Sequence, residues 1–182
     1  MAAIDRYINT IIERARSEAH EDGSAAVEAH HLLLAIAADG AGDPAEDLAG
    51  AAAGVGHPAE DLAGAAGVGD PAEILAGAGL DRQAVRDALD REFEHSLSAA
   101  GVSLAAFGLP RPRATGKPPT QLAASAKLAL ERGFASAGRK KDLRPAHLLL
   151  GILRAEVGTV PRALALAGVD RAELVARLLR AT

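Results

Sequence analysis

The chain contains no cysteine and no tryptophan, and aromatic residues make up only 2% of its 182 residues. Without cysteine it can form no disulfide and can offer no thiolate as a nucleophile or a metal ligand. The shortage of aromatic rings removes the platforms on which single-stranded nucleic acids stack. Lys and Arg number 20 against 24 Asp and Glu, so a basic nucleic-acid surface is also missing. We therefore expect no nucleic-acid partner.

No run of 18 apolar residues is present, so no membrane span and no membrane partner are expected. The first six residues, Met-Ala-Ala-Ile-Asp-Arg, lack the basic start and long apolar stretch of a secretory signal. These two features predict a soluble protein of the cytoplasm.

Catalytic motifs are missing as well. The string Gly-Lys-Pro at 116–118 lacks the upstream glycine and the hydroxyl residue of a phosphate-binding loop. Residues 101–105, Gly-Val-Ser-Leu-Ala, lack the second glycine of the hydrolase nucleophile elbow, and no predicted strand precedes them. We therefore expect no catalytic residue and no cofactor, and we interpret the protein as a non-enzyme.

The six histidines and the acidic pairs do not suggest a reactive centre either. No histidine lies in a His-Glu-x-x-His pattern, and the adjacent His30 and His31 are predicted to point to different sides of a helix. No metal site is expected. Glu92 and Glu94 are placed on a solvated helix face, where they would lack the apolar pocket that acid–base catalysis requires. The remaining surface histidines are predicted to be His20, His57 and His95.

What the chain does contain is a repeated phrase. His-Leu-Leu-Leu-Ala-Ile occupies residues 31–36, and His-Leu-Leu-Leu-Gly-Ile occupies residues 147–152. A second matching phrase follows each one, Gly-Leu-Asp-Arg at 79–82 and Gly-Val-Asp-Arg at 168–171. Such an internal repeat indicates a duplicated unit. We assign a structural role to the motif residues, and we expect their two imidazoles to be partly buried and bonded to backbone: His31, Leu32, Leu33, Leu34, His147, Leu148, Leu149 and Leu150.

The spacing of apolar residues predicts an all-α fold, a pseudo-two-fold duplication of a four-helix motif with eight core helices. Seven helices are predicted at residues 4–19, 28–38, 81–97, 120–137, 145–155, 159–167 and 170–180. In the helix after Asp81 the inner face is assigned to Val85, Leu89, Phe93 and Leu97. In the helix at 120–137 it is assigned to Leu122, Ala126, Ala129, Leu130 and Phe134. The chain is divided into a first repeat at 1–97, a linker at 98–119 rich in proline and glycine, and a second repeat at 120–182, together forming one domain.

The eighth helix is predicted within a short unit that occurs three times in tandem, at residues 42–55, 56–68 and 69–80. Each copy carries Pro-Ala-Glu near its start and a glycine after it, which predicts a short capped helix. Ile74 of the third copy is replaced by Asp47 and Asp61 in the first two. Burying an unpaired carboxylate is costly, so the third copy is predicted to dock in the core and residues 42–68 to form an Ala/Gly-rich insertion.

The doubled His-Leu-Leu-Leu phrase, each followed by a capped helix after Gly-(Leu/Val)-Asp, resembles the N-terminal Clp repeat domain of the ClpA, ClpB and ClpC unfoldases. The resemblance covers nearly the whole chain. It implies an all-α pseudo-dimer of two four-helix motifs that recognises substrates, adaptors and, in some members, phosphoarginine or cyclic peptides. The chain ends at Thr182 without an ATPase module, so it is expected to bind partners without unfolding them.

The chain departs from the family pattern just before each motif. The family usually has Gly-Thr-Glu-His, whereas Ala29 and His30 precede His31, and Pro145 and Ala146 precede His147. In phosphoarginine-binding members the missing glutamate helps to hold the guanidinium group, and Glu28 or His30 are the nearest replacements. We select as candidate partner-binding residues Ile4, Tyr7, Glu28, His30 and Arg144.

Two functions remain open at this point. The first is a binding module of the Clp proteolysis and chaperone system, acting as an adaptor, substrate receptor or modulator, whose partner is a Clp unfoldase, an adaptor or a substrate protein. The second is a decoy or immunity protein that captures a cyclic peptide or other small molecule directed at such an unfoldase. The sequence leaves the oligomeric state open.

Overall fold

The computed structural model describes residues 3–39, 69–103 and 116–182. These residues form eight α-helices and no β-strand, which confirms the all-α class. A 3₁₀ turn at Lys140–Asp142 lies between the fifth and sixth helices. The helices are α1 (Ala3–Glu21), α2 (Ala29–Asp39), α3 (Pro71–Ala76), α4 (Arg82–Ala99), α5 (Ala124–Ala137), α6 (Pro145–Leu153), α7 (Thr159–Leu166) and α8 (Arg171–Ala181).

The two leucine-rich helices α2 and α6 lie at the centre of the molecule. All residues from His31 to Ala37 are buried, as are all residues from Ala146 to Leu153. Helix α2 packs against α1, α3, α4, α5 and α6. Because a buried leucine contributes about 1.5–3 kcal/mol relative to an exposed one, the two triple-leucine runs supply much of the driving force for folding.

The remaining helices pack against helices of the opposite half of the sequence. Helix α4 lies against α7, and α8 lies against α3. Helix α2 contacts α5, and α6 contacts α1. The last helix of each sequence half therefore packs on the third helix of the other half, so that the two halves share one core.

The third tandem unit docks in this core, as its composition predicted. The Asp70 carboxylate caps α3 by accepting a hydrogen bond from the Ala72 backbone N–H at 2.9 Å, and Pro71 occupies the first turn. Leu75 is fully buried, and Ile74 is partly buried against the core. The first two units lie outside the described residues.

The predicted caps of α4 and α8 are present. Asp81 accepts a hydrogen bond from the Ala84 N–H at 2.8 Å, and Asp170 accepts from the Ala172 N–H at 2.9 Å and the Glu173 N–H at 3.2 Å. The Glu173 carboxylate, three residues after Asp170, pairs with Arg177 at 3.0 Å.

The helix predicted at 120–137 begins four residues late, at Ala124. Residues before it run beside the segment that precedes α2: the Val27 N–H donates to the Gln121 carbonyl, and the Ala123 N–H donates to the Val27 carbonyl, both at 2.8 Å. Leu122 thus forms an isolated parallel bridge with Val27 and is not on a helix face. The backbone bonds that a helix would have made are satisfied by a segment almost a hundred residues away.

Two assignments of inner faces were wrong. On α4, Phe93 is 43% exposed and Leu97 only partly buried, while Glu92, expected on a solvated face, is 4% exposed. Glu92 is tolerated there because its carboxylate pairs with Arg162 of α7 at 2.7 Å and accepts from the Ser96 hydroxyl at 2.7 Å. On α5, Phe134 is 48% exposed, because it faces a groove rather than the core.

None of the described helices is both long enough and apolar enough to cross a lipid bilayer.

Candidate functional site

A groove opens between the first turns of α1 and the end of α5. Its volume is about 520 Å³. Helix α1 supplies one wall, and the chain from the last turn of α5 through the 3₁₀ turn supplies the other. The lining residues are Asp5, Ile8, Asn9, Phe134, Ala137, Gly138, Arg139, Lys140 and Leu143.

The floor of the groove is apolar. Phe134 is half exposed at its edge, and a small void beneath it continues between Leu130 and Leu148 towards the core. Pockets that combine an apolar floor with a few polar groups at the rim are the usual form of ligand sites. The groove therefore has the size and composition of a site for an apolar group.

The rim of the groove is charged. Lys140 Nζ lies 3.3 Å from Asp5 Oδ1 and bridges the two walls, and Lys140 is 77% exposed. The Arg139 guanidinium pairs with Asp142 at 3.0 Å and is 73% exposed. Lys141 follows Lys140 and is also exposed, so the segment beside the groove carries three consecutive basic residues, of which Arg139 and Lys140 line the groove.

A second polar cluster lies at the start of α2. Asp22, His30 and His31 each offer a possible ligand atom, and these atoms lie within 4.8 Å of one another. His31 Nε2 is 2.6 Å from Asp22 Oδ2, and the two imidazole centroids are 3.9 Å apart. The prediction that His30 and His31 point to different sides was therefore wrong: the loop after α1 returns Asp22 to the helix start, and both rings lie beside it.

The bonding of His31 argues against a metal ion at this cluster. Its Nδ1 accepts a hydrogen bond from the Glu28 backbone N–H at 2.9 Å, so in the neutral ring the proton resides on Nε2 and is donated to Asp22. A metal at Nε2 would need the proton on Nδ1, where it would face the Glu28 N–H. Metal-bound imidazoles normally donate from their second nitrogen, so this cluster fits a hydrogen-bonded arrangement better.

The same backbone bond occurs in the second motif, where His147 Nδ1 accepts from the Arg144 N–H at 3.0 Å. Both histidines are buried, His31 completely and His147 at 6% exposure. Each ring satisfies a backbone N–H at the start of its helix, the role that Glu or Gln has in a capping box. This explains why histidine begins both copies of the phrase.

The charge state of Asp22 follows from its neighbours. Partial burial works to raise the pKa of the carboxyl, but its contacts with His30, His31 and Ser24 outweigh burial and hold the pKa well below the ordinary value. Asp22 is therefore ionised at neutral pH. His30 also lies 3.9 Å from the Glu28 carboxylate, so its ring stands between two acids.

The candidate partner-binding residues do not form one site. Glu28 and His30 lie together at the start of α2, whereas exposed Arg144 contributes to the void beneath the groove. Ile4 and Tyr7 are partly buried on α1, neither of them in the groove lining.

Tyr7 packs against the core, and its hydroxyl is buried without a hydrogen-bond partner among the described residues. Burial raises the pKa of the Tyr7 phenol above its ordinary value, and the charges of Asp39 and Asp70 add to this effect while Arg14 opposes it. Arg14 itself pairs with Asp39. Tyr7 therefore remains neutral, and its side chain faces inward.

Sequence reasoning missed the residues that form the groove: Asp5, Ile8, Phe134, Lys140 and Leu143. Phe134 was interpreted only as part of a helical apolar face, and Lys140 belongs to a polar stretch without a motif. The run of three basic residues at 139–141 is the one feature of the sequence that points to the rim of this groove.

The chain matches no known family model and no curated protein.

Proposed function

We propose that the protein is a non-enzymatic polypeptide-binding module, and the observation that carries this proposal is the groove between α1 and α5. It presents an apolar floor beside an exposed phenylalanine and a charged rim, the combination with which proteins hold an apolar side chain of a partner. No step of the proposal requires a catalytic group, a cofactor or a metal.

The proposal includes a duplication of one four-helix unit. It is supported by the order of the helices, four up to Ala99 and four from Ala124, and by the packing of α4 on α7 and of α8 on α3. The identical capping bonds of His31 and His147 support the same relationship. On this reading the groove lies at the join of the two units.

We place the module in the cytoplasmic Clp proteolysis and chaperone system, as an adaptor, substrate receptor or modulator of a Clp unfoldase. The support is the repeated motif together with its all-helical setting. The test is retention of a purified ClpC-type unfoldase, with and without its peptidase, on the immobilised protein at micromolar concentration. Retention supports the assignment, and no retention under conditions where the protein is folded contradicts it.

The second candidate is a decoy that captures a small cyclic peptide. The groove volume of about 520 Å³ favours it, because sites for small ligands usually span about 300–1,000 Å³. A thermal-shift series with cyclic peptides tests this alternative. A ligand at one hundred times its dissociation constant would stabilise the fold by about 2.7 kcal/mol. If no cyclic peptide raises the melting temperature, the decoy function is contradicted and the polypeptide-binding module is favoured.

A further inference from the structure

We propose that the groove binds an extended peptide whose backbone pairs with Leu143 and whose apolar side chain, flanked by acidic residues, inserts beside Phe134. This inference rests on the proposed function and specifies its ligand.

The conformation is indicated by a comparison within the molecule. Val27 precedes the first Glu-x-x-His segment, and Leu143 precedes Arg-x-x-His in the second. At Val27 the extended residues 121–123 lie alongside and bond to both its N–H and its carbonyl, at 2.8 Å each. Leu143 occupies the corresponding place in the second motif, and there no segment of residues 3–39, 69–103 or 116–182 pairs with it as residues 121–123 pair with Val27.

The reason that the chain before α1 does not pair with Leu143 is the length of α1. The residue that corresponds to Gln121 in the repeat is Asp5, which is already within α1 and so does not run as an extended strand beside Leu143. The Leu143 N–H donates weakly to the Lys140 carbonyl at 3.3 Å, and no donor among the described residues reaches the Leu143 carbonyl.

Residues 143 and 144 have the backbone of a strand. Leu143 has φ −65° and ψ 128°, and Arg144 has φ −125° and ψ 159°. A short extended segment from a partner can therefore add to this edge as residues 121–123 add to Val27. Backbone pairing of this type gives affinity, and the pocket for one side chain gives selectivity.

The apolar anchor is specified by the floor of the groove. Ile8 of α1 and Phe134 of α5 face the cavity from opposite walls, and Leu143 closes its inner end. A peptide paired with Leu143 would project alternate side chains towards this floor. An aliphatic or aromatic side chain would bury the exposed face of Phe134.

The flanking charge is indicated by the rim. Arg139, Lys140 and Lys141 are all exposed, and Arg144 follows on the paired segment. Against these four cations the same edge carries Asp5 and Asp142, which pair with Lys140 and Arg139. The rim therefore keeps a net positive charge, so carboxylates next to the anchor residue are attracted and lysines are repelled.

The test uses three fluorescein-labelled nonapeptides with a central phenylalanine, flanked by aspartates, by serines or by lysines, with binding followed by fluorescence anisotropy at low salt. We expect the aspartate peptide to bind about tenfold more tightly than the lysine peptide, and the difference to narrow as salt is added. Lys140→Glu should weaken the binding of the aspartate peptide. The matched control Lys117→Glu changes an exposed residue outside the groove lining and should leave all three peptides unchanged.

A second arm tests the backbone pairing. Methylation of the backbone nitrogens on either side of the phenylalanine should weaken the binding of the aspartate peptide, because it removes the N–H donors that would reach the Leu143 carbonyl. Equal binding of the three peptides, or no effect of methylation, overturns this inference while the proposed function stands. Failure of all three peptides and of an unfolded polypeptide to bind overturns both.

Discussion

Asp22 Oδ2 lies 2.6 Å from Nε2 of His31, and this contact joins the loop after α1 to the fully buried ring that begins α2. The other nitrogen of the ring holds the Glu28 backbone N–H. One imidazole therefore fixes both the helix start and the loop that precedes it, and its bonding can be tested directly.

Asp22→Ala should lower the free energy of unfolding by about 1–3 kcal/mol at pH 7, because it leaves a buried ring N–H without an acceptor. Since the folded protein holds the pKa of Asp22 below its ordinary value of 3.8, the carboxylate contributes fully above that value. The difference between wild type and variant should therefore begin to shrink as the pH falls below about 4 and continue to shrink at lower pH. Chemical denaturation at several pH values checks this, and a difference that grows in acid would contradict it.

Gly151→Ala should destabilise the protein severely. A Cβ at this position would overlap the Ala129 carbonyl and lie 2.6 Å from the Gly133 backbone nitrogen, where α5 and α6 pack closely. We expect a loss of about 3 kcal/mol or more, measured by denaturation or as a loss of soluble folded protein.

The first repeat offers the matched control for that variant. Ala35 stands at the same place in the His-Leu-Leu-Leu phrase, where its side chain is buried without such a conflict. Ala35→Gly should cost only about 1 kcal/mol through helix propensity. Similar losses at both positions would contradict the close approach of α5 and α6 as the cause of the Gly151→Ala effect.

Arg162→Ala should destabilise the protein because it leaves the buried Glu92 carboxylate without its cation. Since Arg162 is itself 56% exposed, we expect about 1–3 kcal/mol. The double variant Glu92→Leu with Arg162→Leu removes both charges and should recover most of the loss. Urea denaturation of the single and double variants measures these changes. A double variant with a lower free energy of unfolding than Arg162→Ala would contradict the loss of the ion pair as the cause of the destabilisation.

Tyr7→Phe should stabilise the protein by about 1 kcal/mol, since it removes a buried hydroxyl that has no partner among the described residues. The melting temperature should rise, and peptide binding should not change. A fall in stability would show that the hydroxyl is hydrogen-bonded in solution. A specific loss of peptide binding would restore Tyr7 as a partner-binding residue.

The central part of the fold could be predicted because its signals are local. The apolar runs of α2 and α6 lie within single helices, and Asp70, Asp81 and Asp170 cap the helices that they immediately precede. Docking of the third tandem unit followed from comparing Ile74 with two aspartates. In the first two cases the deciding residues are neighbours in sequence, and in the third they occupy matching positions of a tandem repeat.

The errors came from contacts between distant segments. Residues 121–123 are extended because Val27 pairs with them. Glu92 is buried because it pairs with Arg162, a residue 70 positions further along the chain. The groove likewise depends on α1 lying opposite the end of α5, so helical periodicity placed Phe134 in the core. Periodicity identifies an apolar face but does not say which part of it remains uncovered.

The most direct test of the groove as a polypeptide-binding site compares two variants of α5. Phe134 is 48% exposed inside the groove, and Leu128 is 46% exposed outside its lining, so alanine at either position removes a similarly exposed apolar side chain. Binding of reduced, carboxymethylated α-lactalbumin, a permanently unfolded polypeptide, is measured by anisotropy. The account predicts that Phe134→Ala reduces the affinity about tenfold or more, as expected for a central apolar anchor, while Leu128→Ala matches wild type. Equal binding by all three proteins would contradict it.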